Sequence, residues 1–115
     1  MVRQARGGRV SRVNSLIQQL VSEEFLRSSD SLVNSLTVSY VDTSSDMKKT
    51  TIYVTSLNNK KSKVITSLSR NRAKIQKRVS SQLDMKYTPR LSFKIDPLLE
   101  NVKKINNLLN SINNE

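Results

Sequence analysis

From Ser62 to Leu83 the apolar residues return at helical spacing, and this stretch constrains the fold more than any other. Set at about 100° per residue, Val64, Leu68, Ile75, Val79 and Leu83 fall on one stripe. Arg70, Lys74, Lys77 and Arg78 fall on roughly the opposite face. The apolar repeat fails after Leu68, where Asn71 and Arg72 occupy the next core-side positions. Burying an unpaired guanidinium is costly, so a bend over Asn71, Arg72 and Ala73 is expected, giving two short helices with a cationic joint.

The rest of the chain supplies partners for such a stripe. Val13, Leu16, Ile17, Leu20, Val21 and Phe25 space a first helix, with Ser11 as its expected cap. Arg9 and Arg12 stand at its start, where the helix dipole disfavours cations, which points to an external anion. Leu36, Val38 and Tyr40 alternate as a half-buried strand within Ser31–Val41, and Thr50–Leu57 forms a second. The polar turn between them is short, so the two strands should be antiparallel neighbours. Pro89 opens a third strand in which Leu91, Phe93 and Ile95 alternate against Arg90, Ser92 and Lys94. Asp96–Pro97 is a helix start, followed by an amphipathic segment through Ile112. The order is helix, strand, strand, helix, helix, strand, helix: an α+β sandwich with its helices on one sheet face.

At 115 residues this is one domain, with residues 1–8 expected as a flexible basic arm and 9–115 as the folded unit. No apolar run approaches the ~20 residues of a membrane span, so a cytoplasmic protein with no membrane partner is expected. Of the 20 basic residues, thirteen lie within residues 48–94, against Asp84 alone. A net charge of +11 concentrated in this way points to a polyanion, with nucleic acid favoured over membrane.

Histidine and cysteine are both absent, which removes imidazole acid–base chemistry, thiol nucleophiles and zinc sites; no enzymatic activity and no cofactor are expected. Asp42 and Asp46 could hold a hard cation, but a polar turn explains them better. The candidate RNA-binding residues are Arg9, Arg12, Arg70, Arg72, Lys74, Lys77 and Arg78. Five aromatic residues, several of them at core positions, argue against a base-stacking single-strand binder and favour backbone recognition of structured RNA.

The element order resembles the type II KH fold. Within it, Met85–Asp96 (MKYTPRLSFKID) is similar to the Leu-Arg-x-x-Pro-Glu-Leu-x-Phe-x-x-Asp signature of the ribosome-binding factor A family. Pro89, Leu91, Phe93 and Asp96 match, while Lys86 and Arg90 replace the usual Arg and Glu. Asp46–Met47 followed by Ile52–Tyr53–Val54–Thr55 resembles the family's turn and following strand, and Arg9-Val-Ser-Arg12-Val13 resembles its opening. The likeness covers roughly Gly8 to Leu109. KH domains clamp a nucleic-acid backbone with a Gly-x-x-Gly loop. In this family a kink carrying Ala-x-Gly replaces that loop, and Asn71–Arg72–Ala73 occupies its place. The resemblance implies a non-catalytic assembly factor, monomeric, that binds the immature small (30S) ribosomal subunit and its 16S rRNA during late maturation. Two other readings remain: a basic structured-RNA module without ribosomal specificity, or a protein-interaction domain that docks through its final helix.

Overall fold

The computed structural model describes residues 8–56 and 59–97. Six elements follow in order: α1 (Gly8–Arg27), α2 (Ser31–Asn34), β1 (Thr37–Thr43), β2 (Lys49–Thr55), α3 (Lys61–Gln82) and β3 (Arg90–Ile95). They form a KH-like α+β sandwich. The three strands make one sheet in the order β1-β2-β3, with β1 and β2 antiparallel and β2 and β3 parallel. A parallel pair needs a crossover connection, and α3 supplies it. Helix α1 packs on β1, α3 packs on β3, and the two helices meet each other.

The core is what the apolar periodicity requires. Ile17, Val21 and Phe25 from α1 and Val64, Leu68 and Val79 from α3 close over Ile52, Val54 and Leu91 of the sheet, each at most 1% exposed. Each such burial contributes about 1.5–3 kcal/mol, which is what holds two amphipathic helices to a three-stranded sheet. Thr43 and Thr50 are also buried, their hydroxyls paired at 2.8 Å across β1 and β2.

Several expectations need correction. Helix α1 spans Gly8–Arg27, so Ser11 lies within the helix and is not its cap. Residues 31–34 are a helical turn rather than the start of a strand, because Asp30 caps it, its Oδ1 accepting from the amides of Leu32 (3.0 Å) and Val33 (3.5 Å). The alternation Leu36-Val38-Tyr40 does not persist: an irregularity between Val38 and Tyr40 shifts the register. Val41 and Thr43 therefore face the core, and Tyr40 turns to the other face, where it stacks on its register partner Tyr53 at 4.2 Å.

The largest difference concerns α3. Lys61–Gln82 is one uninterrupted helix, and the expected division at Asn71, Arg72 and Ala73 is not found. The two polar residues that break the apolar stripe find partners without a break. Asn71 Nδ2 donates to Ser67 O (2.8 Å) and to Asp30 Oδ2 (3.2 Å), and Arg72 Nη1 reaches Leu91 O at 3.4 Å. Once these groups are satisfied, no penalty remains for a bend to relieve. Residues 1–7 of the expected arm and the amphipathic helix expected beyond Pro97 lie outside the described residues.

Candidate nucleic-acid interface

Helix α3 turns one face to the core and leaves the other to solvent. Val64, Leu68, Ile75 and Val79 are buried, while Lys63, Arg70, Lys74, Lys77 and Arg78 are exposed. Their spacing of three, four and seven residues brings Lys63, Arg70, Lys74 and Lys77 onto one surface. Among the described residues no carboxylate pairs with Arg70, Lys74, Lys77 or Arg78. This face is a row of uncompensated cations on a rigid support, and it holds four of the seven residues expected to contact RNA.

Arg72 does not join them. It is half-buried on the opposite flank of α3, where its guanidinium covers the outward carbonyl of Leu91 on the edge strand. Beside it Ile65, Leu68, Ser69, Ser92 and Phe93 line a shallow pocket between α3 and β3. In this arrangement Arg72 links helix α3 to strand β3.

Arg9 and Arg12 are exposed on the first turn of α1. Arg9 borders an open cleft lined by the β1–β2 turn, Ser45 to Lys48, and by Asp84 to Thr88. Lys48 and Lys86 add cations to that cleft, and Asp46 and Asp84 offset them. At about 1.5 Å per residue Arg9 stands roughly 22 Å along α1 from Glu24, which borders the α3 cations. The candidate residues therefore form two separate groups. Asp46 is a turn residue: its Oδ1 accepts from Ser44 Oγ (2.6 Å) and from the Lys48 amide (3.1 Å). These hydrogen bonds, with the nearby Lys48 charge, hold its carboxyl below the usual carboxylate range. No group of three or more potential metal ligands occurs among the described residues.

One feature extends the sequence reading of β3, and a second was not anticipated from the sequence. On the sheet face turned from the helices, Lys49 pairs in register with Arg90, and Tyr53 with Lys94, so cations and the Tyr40–Tyr53 stack share a surface. In the helical layer, Glu24 lies on the buried side of α1 at 8% exposure, and its Oε1 has no hydrogen-bond partner. The nearest cation is Arg27, whose Nη1 lies 4.0 Å from that oxygen. The signal was an acidic residue on an apolar stripe, between Val21 and Phe25.

The comparisons agree with this architecture. The family model described as Ribosome-binding factor A matches residues 9–109. A ribosome-binding factor A from Finegoldia magna is 30% identical over 112 residues, spanning 93% of each chain. The crystal structure of ribosome-binding factor A from Thermus thermophilus superposes with a TM-score of 0.69 at 22% identity, covering 75% of this chain and 93% of that one. A homology model of the Thermus thermophilus factor, as fitted into a cryo-EM map of a 30S complex, superposes with a TM-score of 0.61 at 23% identity, covering 70% of this chain and 88% of that one.

Proposed function

The chain belongs to the ribosome-binding factor A family, and on that premise we propose that it binds the small ribosomal subunit and its 16S rRNA as a cytoplasmic monomer. It assists late maturation without catalysing a reaction. The observation that carries this reading is the outer face of α3, where Arg70, Lys74, Lys77 and Arg78 stand exposed with no carboxylate partner among the described residues. Cations held in this way neutralise phosphates and release condensed counterions, which favours association without reading sequence. A relative supports the choice of polyanion: the Thermus thermophilus factor has been fitted into a map of its 30S complex.

The arrangement also accounts for the lack of a Gly-x-x-Gly loop. The backbone at Asn71–Ala73 is committed to a continuous helix, so it offers no free amides to a phosphate. Side-chain charge along α3 takes over the electrostatic work. Arg9 and Arg12 contribute a second, weaker contact at the far end of α1.

Sedimentation of the purified protein with immature small subunits, mature small subunits and naked RNA tests the reading. Preferential co-sedimentation with immature subunits is expected. Equal binding to any structured RNA would reduce the protein to a general basic module, and no binding to subunits or RNA would overturn the reading.

A further inference from the structure

Between α1, α2 and α3 lies a narrow cleft that opens on the cationic face. Val33 and Ile75 form apolar walls, Arg27, Lys74 and Arg78 stand around it, and Glu24 closes it. Val33 is fully buried, Ile75 is 4% exposed and Glu24 8%, so this carboxylate sits inside the fold rather than on its rim. Glu24 Oε1 accepts no hydrogen bond, and at 4.0 Å Arg27 is too far to donate one. A buried acceptor left in this state costs about 1–3 kcal/mol or more when charged, and an incoming donor recovers that cost. Asn71 cannot be that donor, because its amide is already bonded to Asp30 and Ser67.

The ligand that fits is constrained by charge. A free metal ion would enter past three cations, which disfavours it. A nucleotide carries a phosphate for those cations and a base whose edge can donate. Guanine is the one standard base whose Watson–Crick edge presents two adjacent donors, N1–H and the N2 amino group, which match the two oxygens of a carboxylate. Adenine and cytosine place a ring-nitrogen acceptor beside their amino group, and uracil flanks its single N–H with carbonyls. Each would set a lone pair against the carboxylate. Unpaired bases splayed from structured RNA are commonly read in this way.

We propose that this cleft is a base-reading site, in which Glu24 accepts the N1–H and N2–H donors of an unpaired guanine while Arg27, Lys74 and Arg78 hold the adjoining phosphate. The inference rests on the RNA-binding reading above and adds a specificity to it. Glu24 is then the residue that makes a backbone-binding face selective.

The test uses the full chain and three RNA hairpins that differ only in one bulged nucleotide: guanosine, inosine or adenosine. The wild type should favour guanosine over adenosine by about tenfold, the order expected of one good bidentate base contact. Inosine, which lacks the N2 amino group, should fall between them. Glu24→Gln should erase the preference while leaving the salt dependence of binding unchanged, with thermal unfolding confirming its fold. If that variant does not fold, the three-nucleotide series on the wild type still decides. Equal affinity of the wild type for all three hairpins would overturn the site and leave RNA binding intact. So would a Glu24→Gln protein that binds all three more tightly by the same factor, since Glu24 would then be only an internal counter-ion. A wild type that binds none of the hairpins, immature subunits or rRNA would overturn both readings.

Discussion

Met47 is the one described non-glycine residue with a positive φ, at 62°, and the β1–β2 turn explains how it stays there. The Met47 amide donates to Ser44 O (2.9 Å), Ser44 N to Lys49 O (2.8 Å), and Lys49 N to Ser44 Oγ (3.1 Å). The turn is over-determined, so it can force an L-residue into the left-handed region at a cost of about 1–2 kcal/mol. Glycine adopts that region freely but loses about 0.5–1 kcal/mol in chain entropy. Met47→Gly should therefore stabilise the protein by roughly 0.5–1 kcal/mol, read as a shift in the urea midpoint with an unchanged slope. Asp46 in the same turn has a lowered carboxyl pKa, caused first by the Ser44 hydroxyl. A group lowered in the folded state stabilises above its unfolded pKa and loses that contribution as pH falls through the folded one. The Asp46 hydrogen bonds should accordingly persist through the ordinary carboxylate range and release only in stronger acid. In a carbon-detected NMR titration, Ser44→Ala should move the Asp46 midpoint upward.

At the scale of elements, the weak point of the sheet is the edge strand β3, and α3 protects it. Gln76 spans the gap: Leu91 N donates to its Oε1 at 2.8 Å, and its Nε2 donates to Pro89 O at 3.0 Å. Arg72 then covers Leu91 O. Gln76→Ala strips an amide and a carbonyl at buried residues of their partners, and should cost about 1–3 kcal/mol in chemical unfolding. Leu91 N should also lose protection in hydrogen exchange. None of this was legible in the sequence, where Gln76 reads as one more polar residue on a helix. What was legible rested on period. The stripes of α1 and α3, the alternation of Leu91, Phe93 and Ile95, and the antiparallel first strand pair all follow from spacing and loop length. The misreadings share one cause. Asn71 and Arg72 looked incompatible with a continuous helix because their partners, Asp30 and Leu91, are 41 and 19 residues away. Glu24 is a different case: its place on the apolar stripe between Val21 and Phe25 was written locally, and the fold adds that this side of α1 is buried. The cap at Asp30 was also written locally and could have been read.

At the scale of the molecule, charge is distributed in two groups whose surroundings differ, and this gives a quantitative expectation. Arg70, Lys74, Lys77 and Arg78 on α3 have no carboxylate ion-pair partner among the described residues, and Glu24, which borders Lys74 and Arg78, is buried, so these cations face an incoming phosphate with little opposing charge at the surface. Arg9 shares its cleft with Asp46 and Asp84, which lower the local potential and oppose an incoming polyanion. Reversing Lys74, Lys77 and Arg78 to Glu should weaken rRNA binding and flatten the slope of log affinity against log salt by about 2, at roughly 0.7 for each phosphate left without its cation. Reversing Arg9 and Arg12 to Glu should flatten it by less than about 1 on the same scale. The two groups lie far enough apart to share no partner, so the combined five-residue variant should lose the sum of the two free energies within roughly 0.5 kcal/mol. A combined loss well below that sum would mean that one group binds only after the other has docked. Circular dichroism of all three variants should match the wild type, because every substituted side chain is exposed. A slope unchanged by the α3 triple reversal would place the phosphate-binding surface elsewhere, with the Lys49, Arg90 and Lys94 face of the sheet as the next one to reverse.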